Sequence, residues 1–254
     1  MKLSRTIIAF CGACAVAAGS LTPRAHAAPM PCDLAPRVIA LDEVKSANSP
    51  HDYLEGVRKE LSARKELLAG ILSCATQEAT ALEESLRALP PQDAAMEDMK
   101  QKLLGKLDEV LQFYEHQNAD IVHLGISGTQ EVARNLKTWR ASNVDPIAEG
   151  AAGVALWIKQ QTLLQATAHR LAQIETTVQR LKLNEHEDIA AALASARVHL
   201  KSAEEANRAA KDVLVEGVAF DRALTLLKNA LDNLAATYQN FFEVSEFVKK
   251  ILPH

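Results

Sequence analysis

Apolar residues in this chain recur at steps of three and four over long runs, and that period constrains the fold more than any single motif. Ile189, Leu193, Ala196, Leu200, Ala203, Ala210 and Leu214 follow it. So do Leu224, Leu227, Leu231, Leu234, Tyr238, Phe241, Val248 and Leu252. Such spacing gathers apolar side chains on one stripe of a helix. No stretch alternates apolar and polar residues, or is enriched in β-branched residues, as a half-buried strand would be. A helix of about 30 residues is about 45 Å long at 1.5 Å per residue, longer than most globular helices. The predicted fold class is therefore all-α: an elongated bundle of about five long amphipathic helices plus a short one, with coiled-coil-like hairpins.

Breakers divide the pattern. Residues 28–48 read as an extended, Pro-containing N-terminal strip. Ser49-Pro50-His51-Asp52 reads as a helix start, with a capping serine, a proline suited to the first turn and an acid at the positive helix end. The stripe Leu54, Val57, Leu61, Leu68, Ile71, Ala75, Leu82 and Leu86 comes next, and Pro90-Pro91 ends it. A second stripe runs from Met96 to Val122 and stops at Gly125 to Gly128. Together they predict a helical hairpin over 49–126. A short helix, Gln130 to Ala141, occupies an elbow at 127–145, where Asn143-Val144-Asp145-Pro146 breaks the chain and Asp145 caps the next helix. Residues 146–254 predict a three-helix bundle. In it Asn184 with Glu187 has the form of a capping box, and Gly217 separates the last two helices.

Residues 1–27 are of another kind. Lys2 and Arg5 give a positive start, Ile7 to Ala18 is apolar, and Ala25-His26-Ala27 is a small-x-small site. This is the layout of a secretory signal peptide and too short for a transmembrane helix. It predicts cleavage near Ala27 and an extracytoplasmic protein, periplasmic or secreted. Cleavage takes the three positive charges of Lys2, Arg5 and Arg24 from a formal net of −4, leaving −7. That balance argues against nucleic acid as a partner, since phosphate binding needs clustered Lys and Arg. No later segment reaches the roughly 18 apolar residues that span a bilayer.

Cleavage leaves Cys32 and Cys74. Two cysteines in an oxidising compartment most often pair, and neither sits in a close Cys-x-x-Cys or Cys-x-x-His cluster of the zinc type. A bridge would close a loop of about 42 residues, worth about 3–4 kcal/mol in the chain-entropy account. It would pin Ala28 to Pro36 onto the middle of the first long helix.

Catalytic motifs are missing from the sequence. There is no Gly-x-Ser-x-Gly, no glycine-rich phosphate loop and no cofactor signature. His116, Asp120 and His123 stand at i, i+4 and i+7, one helix face whose imidazoles and carboxylate suit zinc; a solvated face is the commoner meaning. Gly150 and Gly153 beside Trp157 read as close helix packing. Trp139 and Trp157 flank the Asp145-Pro146 elbow and are candidates for a ligand or partner surface. Phe241, Phe242, Phe247 and Ile251 are the densest aromatic cluster, and burial preference reads it as a core wedge. Phe242 lies off the stripe, where exposure would mark a partner surface. The functional expectation is a non-enzymatic exported bundle that acts through protein partners or self-association, as a scaffold, adaptor or envelope-assembly component. The alternatives are a small-molecule-binding or sensory domain, and a metal-binding protein.

Overall fold

A computed structural model describes residues 32–47 and 53–251. Among these residues there is no strand, and the all-α bundle expected from the three-and-four period is present. The helices are α1 (Ala35–Ser46), α2 (Tyr53–Arg87), α3 (Ala94–Asp120), α4 (Ile126–Asn143), α5 (Asp145–Arg180), α6 (Glu187–Glu216) and α7 (Phe220–Ile251). Short 3-10 turns, Ile121–His123 and Leu183–Glu185, come after α3 and α5. The signal-peptide segment with its cleavage point near Ala27, the helix start at Ser49 to Asp52, and Leu252 lie outside the described residues. No helix among them is long and apolar enough to cross a membrane.

The chain divides into two compact units that share helices. One comprises the described residues of Met1–Ala81 and Leu111–Asn135, the other those of Leu82–Val110 and Leu136–His254. The boundaries fall inside α2, α3 and α4.

In the larger unit α5, α6 and α7 pack against one another. The seam of α7 is Phe220, Ala223, Leu227, Ala230, Leu234, Thr237, Phe241 and Val244, in strict alternation of three and four, and all are buried. The facing stripe of α6 contains Ala196, Ala203 and Ala210. Small side chains let backbones approach, and α6 and α7 lie within 8 Å of each other along far more of their length than α5 does with either. Gly217 makes the turn between them possible. Its φ of 73° is left-handed, and its N–H reaches the carbonyls of Val213 and Leu214, the glycine-specific close of a helix. Gly150 and Gly153 serve packing, as their spacing suggests. A Cβ on Gly150 would lie 2.9 Å from the Phe220 ring, and one on Gly153 2.7 Å from Leu214.

In the smaller unit α1 lies on α2. A disulfide joins Cys32 to Cys74 with Cα atoms 5.7 Å apart. The Arg37 guanidinium covers Gly70 and donates to the Glu66 carbonyl at 3.3 Å. Leu41 is the buried residue of α1.

Four local expectations are corrected. Residues 35–46 of the presumed extended strip are helical, because Pro36 falls in the first turn, where its missing N–H costs nothing. The helix α4 begins at Ile126, before the expected Gln130, and takes in Gly128. Its first turn closes through Thr129 N–H to the Gly125 carbonyl, and the Thr129 hydroxyl donates to Ile126. Asp145 does not cap α5. Val144 occupies that place in a helical backbone conformation with no side-chain cap, so α4 and α5 abut across one residue. The Asn184–Glu187 capping box does not form either: Asn184 is in the 3-10 turn, and His186 precedes α6 without a side-chain bond.

Candidate functional site

Two surface features of the larger unit include residues singled out in the sequence, Trp157 in one and Phe241 with Phe242 in the other. The first is a cleft of about 600 Å³ between α5, α6 and the residues that lead into α3. Trp157 of α5 lines it and is 5 % exposed. Asn207 of α6 lines it too and is 1 % exposed. Neither Trp157 Nε1 nor Asn207 Oδ1 has a hydrogen-bond partner among the described residues. Lys211, one turn further along α6, places its ammonium 5.8 Å from the Trp157 ring centroid, within cation–π range. The same ammonium donates to Asp93 Oδ2 at 2.6 Å. Asp93 Oδ1 accepts from the Met96 backbone N–H at 3.2 Å, so the carboxylate also caps α3. Its carboxyl is held below the usual 3.8, chiefly by the Lys211 hydrogen bond; partial burial opposes this, and the Met96 N–H assists. Glu204 and Arg208 stand on the rim. Trp139 does not line this cleft; it is half-buried on α4.

The remaining buried polar residues of the three helices are matched at least in part. Gln160 Nε2 donates to the Leu227 carbonyl at 2.6 Å, tying α5 to α7. The Thr167 and Thr237 hydroxyls donate to carbonyls one turn back, Leu163 and Asn233.

The second feature is an open groove of about 890 Å³ between the C-terminal halves of α5 and α7. Phe241 forms its floor with Tyr238, ring to ring at 5.4 Å and nearly edge-on. The aromatic cluster splits here. Phe241 is core and Phe247 packs partly against it, whereas Phe242 is 66 % exposed on the groove's edge. Leu181 across the groove is 48 % exposed. His169, Arg170 and Lys249 add basic groups to the lining, and Gln173, Thr177 and Ser245 add neutral polar ones beside its apolar residues.

The histidine triad does not assemble. His116 and Asp120 end α3, with His116 Nε2 3.9 Å from Asp120 Oδ2 on an exposed face. His123 belongs to the 3-10 turn, which rotates it off the register that an unbroken helix would give. No group of three His, Cys, Asp or Glu side chains able to hold a metal occurs among the described residues.

Sequence reading pointed to Trp157 and Phe242 but missed Asp93, Asn207 and Lys211. Asn207 left a signal: it occupies a stripe position of α6 between Ala203 and Ala210, where an apolar residue is the rule. Asp93 and Lys211 are 118 positions apart and left none.

Comparison with known proteins returns no match: no protein family, curated protein or solved structure matches this chain.

Proposed function

We propose that this chain is an exported helical-bundle protein that acts through protein–protein contacts, with the α5–α7 groove around Phe242 as the contact surface. The exposure of Phe242 beside Leu181 carries the reading. A large aromatic side chain left in water on the edge of a groove, with a second exposed apolar residue across it, has the composition of a contact surface. Export is supported by the charge and apolar layout of residues 1–27 and by the Cys32–Cys74 bridge, since disulfides persist in oxidising compartments. The bundle then serves as a rigid support that holds this face, consistent with a scaffold, adaptor or assembly component.

A photo-crosslinking residue placed at position 242 in the producing cells tests the contact. A discrete adduct at 242, absent when the same residue replaces exposed Asp232, and lost when Leu181 is changed to Asp, is the expected result. Equal labelling at both positions removes the reading. Cell fractionation with N-terminal sequencing tests export: the purified chain is expected to begin near Ala28, and a cytoplasmic chain beginning at Met1 overturns it.

A further inference from the structure

Every residue lining the Phe242 groove belongs to α5 or α7, so the groove opens on the side of the three helices away from α6. Its α5 wall runs from Ala166 to Leu181, about 22 Å at 1.5 Å per residue, or about four helical turns. A trough of that length between two packed helices, floored by Val178, Phe241 and Val244, is where a further helix of a bundle would lie. A small molecule in so open a trough would keep much of its surface in water, whereas small-molecule sites bury about 70–90 % of it.

Charge narrows the kind of helix. Between Gly150 and Lys182 the chain carries Lys159, His169, Arg170, Arg180 and Lys182 against one acid, Glu175, although its formal net charge is −4. Glu175 is turned to α6, where its carboxylate accepts from Arg197 at 2.6 Å. His169 and Arg170 line the groove, and Arg180 stands seven residues beyond Gln173, on the same helix face. Both arginines are exposed, and neither pairs with a carboxylate among the described residues. The α7 wall is balanced instead: Glu246, outside the lining, holds Lys249 at 2.7 Å, and Glu243 also stands outside it.

We infer that the groove receives an amphipathic helix of a partner protein, with Asp or Glu along the flank that meets α5. This rests on the groove being a contact surface and adds what meets it. The partner's apolar stripe, at i, i+3, i+4 and i+7, would cover the floor and Phe242. Arg170 and Arg180 are about 15 Å apart along α5, so the acids that meet them stand about three turns apart.

Photo-crosslinking residues placed singly at 173, 177 and 242 of the full chain, in the producing cells, test this. The adducts are digested, and the partner residue joined to each position is read by mass spectrometry. One partner segment is expected, joined at steps of three and four, with Asp or Glu on the flank that meets 173 and 177. Arg170→Glu with Arg180→Glu is expected to lower the yield at 242 by about tenfold, at up to about 1 kcal/mol per exposed pair. Both sites are exposed, so that variant is expected to melt with the native chain. A segment without acids, joined residues at steps of two, a second copy of this chain in the adduct, or an undiminished yield after charge reversal overturns the acidic helix and leaves the contact surface standing. Labelled lipid, or no adduct at 242, removes the contact surface as well.

Discussion

Lys211 reaches Asp93 across 118 positions of sequence, with its ammonium nitrogen 2.6 Å from the carboxylate. Because Asp93 Oδ1 also accepts from the Met96 N–H, one side chain caps α3 and ties that cap to α6. The pair forms one wall of the Trp157 cleft, so its chemistry affects both stability and the site.

The pair gives a defined pH dependence. The folded state holds the Asp93 carboxyl below its usual 3.8, so the unfolded chain takes up the proton first as pH falls. The stabilisation is therefore complete above about pH 3.8 and is lost as pH drops through the depressed folded value. The two side chains are 28 % and 47 % exposed, and solvent screening keeps the ion-pair contribution to about 1 kcal/mol or less. Asp93→Asn is expected to be less stable than the native chain at neutral pH, with the gap closing in acid. Urea denaturation across that range measures it, and a gap that stays constant contradicts the pairing.

Two glycines in helix interiors predict opposite outcomes. Gly105 is exposed in α3, with nothing within 4 Å of a Cβ, so Gly105→Ala is expected to stabilise by about 0.5–1 kcal/mol through helix propensity. A Cβ at Gly153 would meet Leu214, which is fully buried and has no room to yield. Overpacking of about 1–3 kcal/mol outweighs the propensity gain there, and Gly153→Ala is expected to melt lower. Thermal melts of the two variants should move in opposite directions; shifts of the same sign would mean the α5–α6 packing is not as described.

The Cys32–Cys74 bridge holds a helix that has little else to hold it. With Leu41 as its buried residue, α1 relies on the disulfide and on Arg37 lying over Gly70. Changing both cysteines to serine is expected to destabilise by about 3–4 kcal/mol. The opening should be local, with new protease cleavage and fast amide exchange over residues 35–46 and unchanged protection in α6 and α7. Exchange mass spectrometry distinguishes this from global loosening, which would leave no region protected.

The helices were legible because their seams are nearly pure. From Phe220 to Val244 every third or fourth residue of α7 is buried, and only Thr237 and the adjoining Asn240 depart from apolar chemistry. Phe242 was legible as an off-stripe residue, though its exposure was not the reading favoured for the cluster. The α1 helix was hidden because Pro36 reads as extended chain unless it is known to stand in a first turn. The α4–α5 junction was hidden for the same reason: Asp145-Pro146 looks like a break, yet proline there removes only an N–H that a helix start leaves free. The cleft was half legible. A tryptophan beside two glycines pointed to α5, but Asp93 and Lys211 are brought to it by tertiary packing, which local periodicity does not encode.

The close packing of α6 on α7 makes the last prediction. Ala196, Ala203 and Ala210 recur every seventh residue on α6, Ala223 and Ala230 do so on α7, and all five are fully buried. With the two backbones within 8 Å along much of their length, a longer side chain on that stripe has nowhere to go. Ala203→Leu is expected to destabilise by about 1–3 kcal/mol, since the added carbons must push the helices apart or adopt a strained rotamer. Ala190→Leu, on the exposed face of the same helix, keeps helix propensity high and is expected to change stability by less than about 0.5 kcal/mol. Urea denaturation with a shared m-value compares the two. If Ala203→Leu is as mild as Ala190→Leu, the interface tolerates a leucine, and alanine is not what sets the α6–α7 spacing.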